Sequence, residues 1–309
     1  MISIQGLTKN YGDLTALADV SFETQSGQVV GVLGLNGAGK STLMRILAGE
    51  LLPSAGRVVV GEVDLEIDPR GVRSQVGYLP EEPPLYRDMT VHEFLAFVGA
   101  LNDVPRVELP DRLAKVAEQT HIADQLDRII GELSMGYRKR VGIAQAILHD
   151  PEVIILDEPV SSLDPAEIVG MRELIRSLVG DRRRTVFTSS HNLPEIHETC
   201  DTLLILHQGK LVARGTQEEL GVVSGPERVE IEVSGETEAL RTALPPGMEV
   251  ISKKSTGEGL SEAIVDLGGG QPEALVAAFV KAGIGVRRLE IHRTDLEAIF
   301  LDLVSGESS

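Results

Sequence analysis

Residues 34–42, Gly-Leu-Asn-Gly-Ala-Gly-Lys-Ser-Thr, constrain the fold of this chain more than any other segment. Gly34, Gly39, Lys40 and Ser41 have the spacing of a phosphate-binding loop. An apolar run precedes the loop, and apolar residues at three- and four-residue spacing follow it. The pattern therefore predicts a strand, a loop and a helix whose positive end faces a bound phosphate.

The residue types in this loop suit a nucleoside triphosphate. Backbone N–H groups must reach the phosphate oxygens, and Gly34, Gly37 and Gly39 leave room for that approach. Lys40 is predicted to place its charge on the β- and γ-phosphates, and Ser41 to offer its hydroxyl to Mg²⁺. The alternative is a glycine-rich turn that binds nothing. The predicted nucleotide contacts are Gly34, Asn36, Gly37, Ala38, Gly39, Lys40, Ser41 and Thr42.

Two acidic residues, Asp157 and Glu158, directly follow the apolar run 153–156. Ligands of open α/β sheets bind at the carboxyl ends of the strands, so we expect this pair beside the phosphate loop. Asp157 would hold Mg²⁺ through its water shell, and Glu158 would orient and deprotonate the attacking water. Taken alone, the Asp-Glu-Pro sequence would also fit an exposed acidic turn, but its place behind an apolar strand favours the functional interpretation.

The order of elements predicts an α/β fold with a second, smaller domain. Alternating apolar runs at 1–7, 14–24 and 28–33 favour strands of an antiparallel N-terminal sheet. Strands alternating with helices then predict a mostly parallel core sheet up to residue 220, with a helical subdomain at about 85–150. Residues 221–226 contain Gly and Ser and predict a linker, and 227–309 predict a βαββαβα, ferredoxin-like α+β domain.

Charge and composition restrict the classes of function. A net charge of −18 disfavours nucleic acid as a partner, because backbone binding depends on Lys and Arg. The single cysteine, Cys200, fits a reducing compartment. The N-terminus lacks a signal-peptide pattern, and no run reaches the roughly 20 apolar residues of a membrane-spanning helix. We therefore expect a soluble, cytoplasmic protein.

Residues 133–140, Leu-Ser-Met-Gly-Tyr-Arg-Lys-Arg, resemble the LSGGQ signature of the ABC ATPases. The segment keeps Leu133, Ser134, Gly136 and Arg140 and departs from the family at Met135, Tyr137 and Lys139. Three more marks follow the family's order: Tyr11 as the aromatic that stacks on adenine, 161–165 as the D-loop with Asp164 as its acid, and 189–191 as the switch with His191 near the γ-phosphate. The resemblance covers residues 1–220.

Residues 77–84, Gly-Tyr-Leu-Pro-Glu-Glu-Pro-Pro, depart from the family at one position. The family usually has a glutamine after the proline, which touches Mg²⁺ or water and conveys the nucleotide state to the membrane subunit. This chain has Glu81 instead. A carboxylate is a suitable ligand for Mg²⁺, although it adds negative charge near the phosphates. We predict Glu81 as a metal ligand within the coupling loop.

The resemblance implies a Mg-dependent ATPase with Glu158, His191 and Lys40 as catalytic residues. It also implies that two cassettes meet head to tail, so that Ser134 and Gly136 of each chain contact the ATP held by its partner. A second copy of the chain and integral membrane permease subunits are thus the predicted partners. The chain would lie on the inner face of the cell membrane through the permease.

Export is the predicted direction of transport. Residues 295–301, Asp-Leu-Glu-Ala-Ile-Phe-Leu, are similar to a helix in the small C-terminal domain of ABC export ATPases, although packing alone would also explain their apolar face. The alternative is a non-transport ABC ATPase of translation or DNA repair, which usually has two cassettes or a long coiled coil. A regulatory or structural protein is disfavoured by the intact Lys40, Asp157, Glu158 and His191.

Overall fold

A computed structural model of the chain describes residues 1–180, 184–190, 196, 198–223, 228–234, 240, 242–257, 260–268 and 270–292. The chain divides into two compact units, Met1–Gln217 and Glu218–Ser309. Each unit has its own buried apolar core. Among the described residues, none of the helices combines the length and the apolar character that crossing a lipid bilayer requires.

The first unit contains an antiparallel sheet and a mostly parallel sheet. Its strands are β1 Ile2–Tyr11, β2 Leu14–Thr24, β3 Val29–Leu33, β4 Ala55–Val60, β5 Val63–Asp64, β6 Val76–Leu79, β7 Val153–Leu156, β8 Thr185–Ser190, β9 Thr202–His207 and β10 Lys210–Thr216. The antiparallel sheet has the order β2-β1-β4-β5. The second sheet has the order β10-β9-β3-β8-β7-β6 and is parallel except for β10.

Helices cover both sheets. The α-helices whose bounds lie within the described part of the first unit are α1 Lys40–Leu47, α2 Pro69–Gln75, α3 Val91–Leu101, α4 Leu109–Gln119, α5 Met135–Ile147 and α6 Pro165–Leu178, and α7 Gln217–Val223 begins at the last residue of the unit. Leu43, Met44, Ile46 and Leu47 of α1 are buried in a core that includes residues of both sheets. Helices α3, α4 and α5 pack on one another, and α5 also packs on β6 and β7.

The predicted fold class is confirmed, with one correction to strand pairing. The third N-terminal strand, predicted for the antiparallel sheet, is β3, which instead pairs in parallel with β8 and β9. All five residues of β3 are buried. A continuous apolar run of this kind is typical of a central parallel strand, whereas alternation marks a strand with one solvated face. The nearly continuous apolar run at 29–33 has the pattern of a central parallel strand.

The second unit is built around an antiparallel sheet. Its elements are β11 Arg228–Ser234, β12 Glu249–Gly257, β13 Leu260–Asp266, α8 Pro272–Lys281 and β14 Gly285–His292. The strand order β12-β13-β11-β14 agrees with the predicted ferredoxin-like character. Leu275 and Phe279 of α8 belong to the buried core of this unit, together with Val229, Ile231 and Val233. The predicted C-terminal helix at 295–303 lies outside the described residues.

Candidate nucleotide-binding and hydrolysis site

Sheet order places the phosphate loop near the acidic pair. Strand β3 leads into the loop, β7 leads into Asp157 and Glu158, and β8 lies between the two strands. The three strands are parallel, so their carboxyl ends meet at one edge of the sheet. This edge is where open α/β sheets bind ligands.

The surrounding backbone explains why two positions of the loop are glycine. Gly39 has φ +104°, and a Cβ there would lie 2.6 Å from the carbonyl oxygen of Ala16. A Cβ on Gly34 would lie 2.5 Å from the carbonyl oxygen of Leu206. Both glycines are therefore needed for close backbone approach. Gly37 differs, because its φ of +81° is left-handed but a Cβ would meet no atom within 4 Å.

The turn between β9 and β10 supports the loop from the side of β2. The backbone N–H of Gly209 donates to the carbonyl of Ala38 at 3.1 Å, and the N–H of Ala18 donates to the carbonyl of Gly209 at 2.8 Å. Ala38 is itself buried, and its N–H donates to the carbonyl of Leu35. Its predicted nucleotide contact stays a prediction.

Lys40 is buried at the start of α1. Its ammonium donates to the carbonyl of Gly34 at 2.8 Å and approaches the carboxylate of Glu158 at 3.7 Å. The side chains of both residues are less than 10% exposed, with values of 7% and 9%. A buried cation and a buried anion thus face each other between the loop and β7, where water screens their attraction poorly.

The acidic pair is held by a hydroxyl at the end of β8. Ser189 donates to a carboxylate oxygen of Asp157 at 2.6 Å and accepts the backbone N–H of Glu158 at 2.8 Å. Glu158 has φ +48°, a left-handed conformation that is costly outside glycine. Such strained residues cluster at functional sites, where surrounding contacts hold them in place.

A cleft of about 420 Å³ brings several predicted residues together. Its lining comprises Tyr11, Leu14, Thr15, Ala16, Leu35, Asn36, Gly37, Gly39, Lys40, Ser41, Thr42, Glu81 and Glu158. Tyr11 is 43% exposed, and the ammonium of Lys9 lies 5.4 Å from the centre of its ring. The volume falls in the range of small-molecule sites. A partly exposed aromatic and a buried cation in the same lining suit a base and a phosphate group.

The signature residues lie outside this cleft. Ser134 is exposed and accepts the N–H of Tyr137 at 3.3 Å, so it caps the N-terminus of α5. Gly136 is buried, and a Cβ there would lie 2.3 Å from the carboxylate of Glu167. Asp164 caps α6 by accepting the N–H of Glu167 at 2.8 Å. Binding of a partner's nucleotide by these residues remains a prediction.

Mg²⁺ fits the residues that are present. Ser41 and Glu81 line the cleft, and Asp157 is buried beside Glu158 in the sequence. Within the described part of the chain, no three His, Cys, Asp or Glu side chains form a metal cluster. Mg²⁺ does not require one, because it is commonly bound through one or two carboxylates, waters and substrate phosphates. The assignment of Ser41, Asp157 and Glu81 as its ligands stays a prediction.

Two residues that organise the site, Ser189 and Lys139, are not among the predicted site residues. Ser189 lies in the segment similar to the switch motif, but its bridge between Asp157 and Glu158 depends on pairing of β7 with β8. Lys139 is 2% exposed, and it precedes the buried Gly142 and Ile143 by three and four positions. A lysine on the buried face of a helix was a signal in the sequence. His191 directly follows β8 and lies outside the described residues.

Comparison with known proteins agrees with this arrangement. A family model described as ABC transporter matches residues 17–161. The chain is 32% identical to the uncharacterised ABC transporter ATP-binding protein YxlF of Bacillus subtilis (strain 168), over 98% of this chain and 99% of that protein. It is also 32% identical to the Nod factor export ATP-binding protein I of Ralstonia nicotianae, over 99% of this chain and 94% of that protein.

A solved structure supports the same fold. It is described as the structure of the ATP binding subunit of an ABC transporter and has 29% sequence identity and a TM-score of 0.65. The likeness covers 72% of this chain and 92% of that one. Fold and loop together define the class of the protein as an ATP-binding cassette of the P-loop type. The chain belongs to the ATP-binding proteins of the ABC transporter family.

Proposed function

We propose that this chain hydrolyses ATP and drives the export of a cargo through a separate membrane permease. The main support for hydrolysis is the buried pair of Lys40 and Glu158, 3.7 Å apart in a cleft that the glycine loop lines. A phosphate-binding cation next to a carboxylate is the arrangement that phosphoryl transfer to water needs. The name of the relative from Ralstonia nicotianae, an export ATP-binding protein, supports the direction.

In the proposed reaction, the loop N–H groups and Lys40 bind the β- and γ-phosphates of ATP. Competition by the γ-phosphate for Lys40 draws the ammonium away from its ion pair with Glu158. The carboxylate then accepts a proton from water while the water oxygen bonds to the γ-phosphorus. The bond to the β–γ bridging oxygen breaks, which yields ADP and phosphate. Mg²⁺, when bound, neutralises charge on the phosphate oxygens.

The active form in this proposal is a two-site dimer. Ser134 and Gly136 lie at the N-terminus of α5, outside the cleft of their own chain, which suits binding of a partner's γ-phosphate by that helix end. Asp164 of the D-loop is proposed to lie at the same interface. His191 is proposed to contact the γ-phosphate of its own chain. ATP would hold the two copies together, and its hydrolysis would release them.

The permease is proposed to dock beside the coupling loop. Glu81 lines the nucleotide cleft, and Tyr86 follows it five residues later with its ring half exposed. Tyr86 packs on Phe94 and Phe97 of α3, with ring centres 6.0 and 5.6 Å apart. Tyr86 and Phe97 are partly exposed and Phe94 is buried beside Tyr86, and an aromatic surface that follows a cleft-lining loop in the sequence suits a cytoplasmic segment of a membrane protein. The chain would thereby lie on the inner face of the membrane.

Glu158→Gln tests the hydrolysis proposal. The amide cannot accept the proton of water, so we expect kcat to fall about 10²–10⁴-fold while ATP still binds. Size-exclusion chromatography with ATP and Mg²⁺ should then show a trapped dimer. Glu118→Gln, an exposed change on α4, is the matched control. Turnover of Glu158→Gln at the wild-type rate would remove this residue from the role of base.

Mixing two inactive variants tests the shared site. Chains with Lys40→Ala and chains with Ser134→Arg should each lack activity as homodimers. In a mixed dimer, one site combines an intact Lys40 with an intact Ser134, so about a quarter of the sites should recover after random pairing. ATP turnover of the mixture measures the recovery. Activity that never rises above that of the separate variants would indicate sites contained within one chain.

Co-purification tests the link to transport. The chain should be recovered with an integral membrane protein from gently solubilised membranes of its natural host. Replacing Tyr86 and Phe97 together by serine should reduce that recovery, because it removes the exposed aromatic surface. The melting temperature of the double variant checks its folding. Equal recovery of a folded double variant would place the permease elsewhere on the chain.

A further inference from the structure

Lys139 is a buried cation of the first unit. It lies on α5, five residues after the signature serine Ser134, and is only 2% exposed. Lysine is almost never fully buried unless its charge is paired, because removing an ammonium from water is costly. Its surroundings must therefore offer acceptors for all three N–H donors of the ammonium.

Two segments supply those acceptors, the loop after β6 and the connection between β7 and α6. The Lys139 ammonium donates to the carbonyl of Glu81 at 2.6 Å, to the carbonyl of Glu158 at 3.1 Å and to the hydroxyl of Ser161 at 3.3 Å. Glu81 lies in the loop after β6, Glu158 directly after β7, and Ser161 in the turn that leads to α6. One side chain thus joins the coupling loop, the hydrolysis residue and the D-loop.

The contact with Glu158 holds a strained residue from its carbonyl side. The backbone N–H of Glu158 is held by Ser189, and the carbonyl of the same residue is held by Lys139. Its left-handed φ of +48° needs such support, because the conformation is unfavourable for a residue with a side chain. The Glu158 carbonyl also accepts the N–H of Ser161 at 3.2 Å, and the three bonds together orient both neighbouring peptide groups and thereby the Glu158 carboxylate.

The charges around Lys139 agree with these contacts of its ammonium. Burial lowers the pKa of Lys139, while the nearby carboxylates of Glu81 and Glu158 act in the opposite direction and favour the ammonium. Glu81 is the position where the related family usually has a neutral glutamine. The carboxylate at this position is thus accompanied by a cation that is held next to the same loop.

We infer that Lys139 is a positioning residue of the hydrolysis site, which orients Glu158 through its carbonyl and joins it to the loop of Glu81. The inference rests on the proposed role of Glu158 as the base. A movement of the Glu158 main chain is thereby transmitted, through the Lys139 ammonium, to the loop of Glu81. This is the loop beside which the permease is proposed to dock. Lys139 itself does not touch the phosphate cleft, whose lining lies on other residues.

Lys139→Met removes the three donors and keeps an apolar chain of similar length. We expect kcat for ATP to fall about 10- to 100-fold, because a small displacement of a catalytic group has effects of this size. The dissociation constant of ATP should change by less than about 3-fold, since the phosphate loop keeps its contacts. Lys139→Gln, which retains two donors, should recover part of kcat. Lys115→Met, at an exposed position of α4, is the control.

Hydrogen exchange separates this inference from a general loss of stability. Amides of segments 79–84 and 157–162 should both exchange faster in Lys139→Met, while those of α1 keep the wild-type rate. If Lys139→Met does not fold, Lys139→Gln and Ser161→Ala test the same contacts. Wild-type kcat in the folded variants, or faster exchange across the whole first unit, would overturn the inference. A wild-type chain without ATPase activity would contradict the proposed function instead, and the exchange rates would still decide the role of Lys139.

Discussion

Two helix N-termini in the first unit differ in how their free N–H groups are satisfied. Helix α1 begins after Gly39, which has no side chain and therefore leaves the end of the helix open toward the nucleotide cleft. Helix α5 begins after Ser134, whose hydroxyl already accepts the N–H of Tyr137. Both ends carry the positive pole of a helix, but the start of α1 lines the nucleotide cleft, whereas Met135 at the start of α5 lines a separate, smaller hollow.

In the proposed function, this difference corresponds to two kinds of anion site. The proposed site at the start of α1 is formed within one chain, because the glycine loop, Lys40 and Glu158 line the same cleft. The end of α5 presents an exposed hydroxyl, and the hollow that Met135 and Arg138 of this helix help to line is smaller, at about 250 Å³. The Ser134 hydroxyl already accepts one N–H group of this helix end. An anion bound at the same end would have to come from outside the chain. The proposed dimer provides one.

Removing the cation from the first site should have the largest effect. Lys40→Ala deletes the charged donor that we propose for two phosphates, so we expect ATP affinity to fall at least about 1000-fold, or roughly 4 kcal/mol. Isothermal titration with ATP measures the change. Arg45→Ala, an exposed cation on the same helix, should bind ATP like the wild type. If Lys40→Ala also kept its affinity, α1 would not be the phosphate site, and the contrast with α5 would disappear.

The glycines before α1 should show a smaller, position-dependent effect. Gly39→Ala combines a left-handed φ with a clash against the carbonyl of Ala16, so we expect a loss of about 2–3 kcal/mol in stability. Gly37→Ala has open space and should lose about 1 kcal/mol. Thermal unfolding should therefore place the melting temperature of Gly39→Ala below that of Gly37→Ala. Equal melting temperatures would contradict the contact with Ala16.

The cap of α5 should have the smallest effect. Ser134→Ala removes the acceptor for the Tyr137 N–H and should lower stability by about 1 kcal/mol, or about 2–4 °C in melting temperature. Ser134→Asn restores an acceptor and should melt like the wild type. Calorimetry of the chain without nucleotide measures both variants. An unchanged melting temperature for Ser134→Ala would show that the hydroxyl does not stabilise the helix.

Much of the fold was predictable because its signals are local. The glycine loop, the helix after it and the apolar strand before Asp157 were all predicted at their observed places. The pairing of β3 was predicted wrongly, since an alternating neighbour such as β2 suggested one continuous antiparallel sheet. Strands β4, β5 and β6 went unassigned although residues 58–60 are all valine, because short strands give weak signals.

What the sequence by itself determined is the phosphate loop and the acidic pair, since spacing within a few consecutive residues specifies them. Only the tertiary structure decided what holds that pair in place. Ser189 reaches Asp157 across 32 positions, and Lys139 reaches Glu81 across 58 positions. Contacts of this range depend on strand order and on the packing of α5 against β6, where a Cβ on Gly77 would lie 2.0 Å from the carbonyl of Ala146. The spacing of residues along the sequence does not predict such contacts, because they depend on strand pairing and packing in the complete fold.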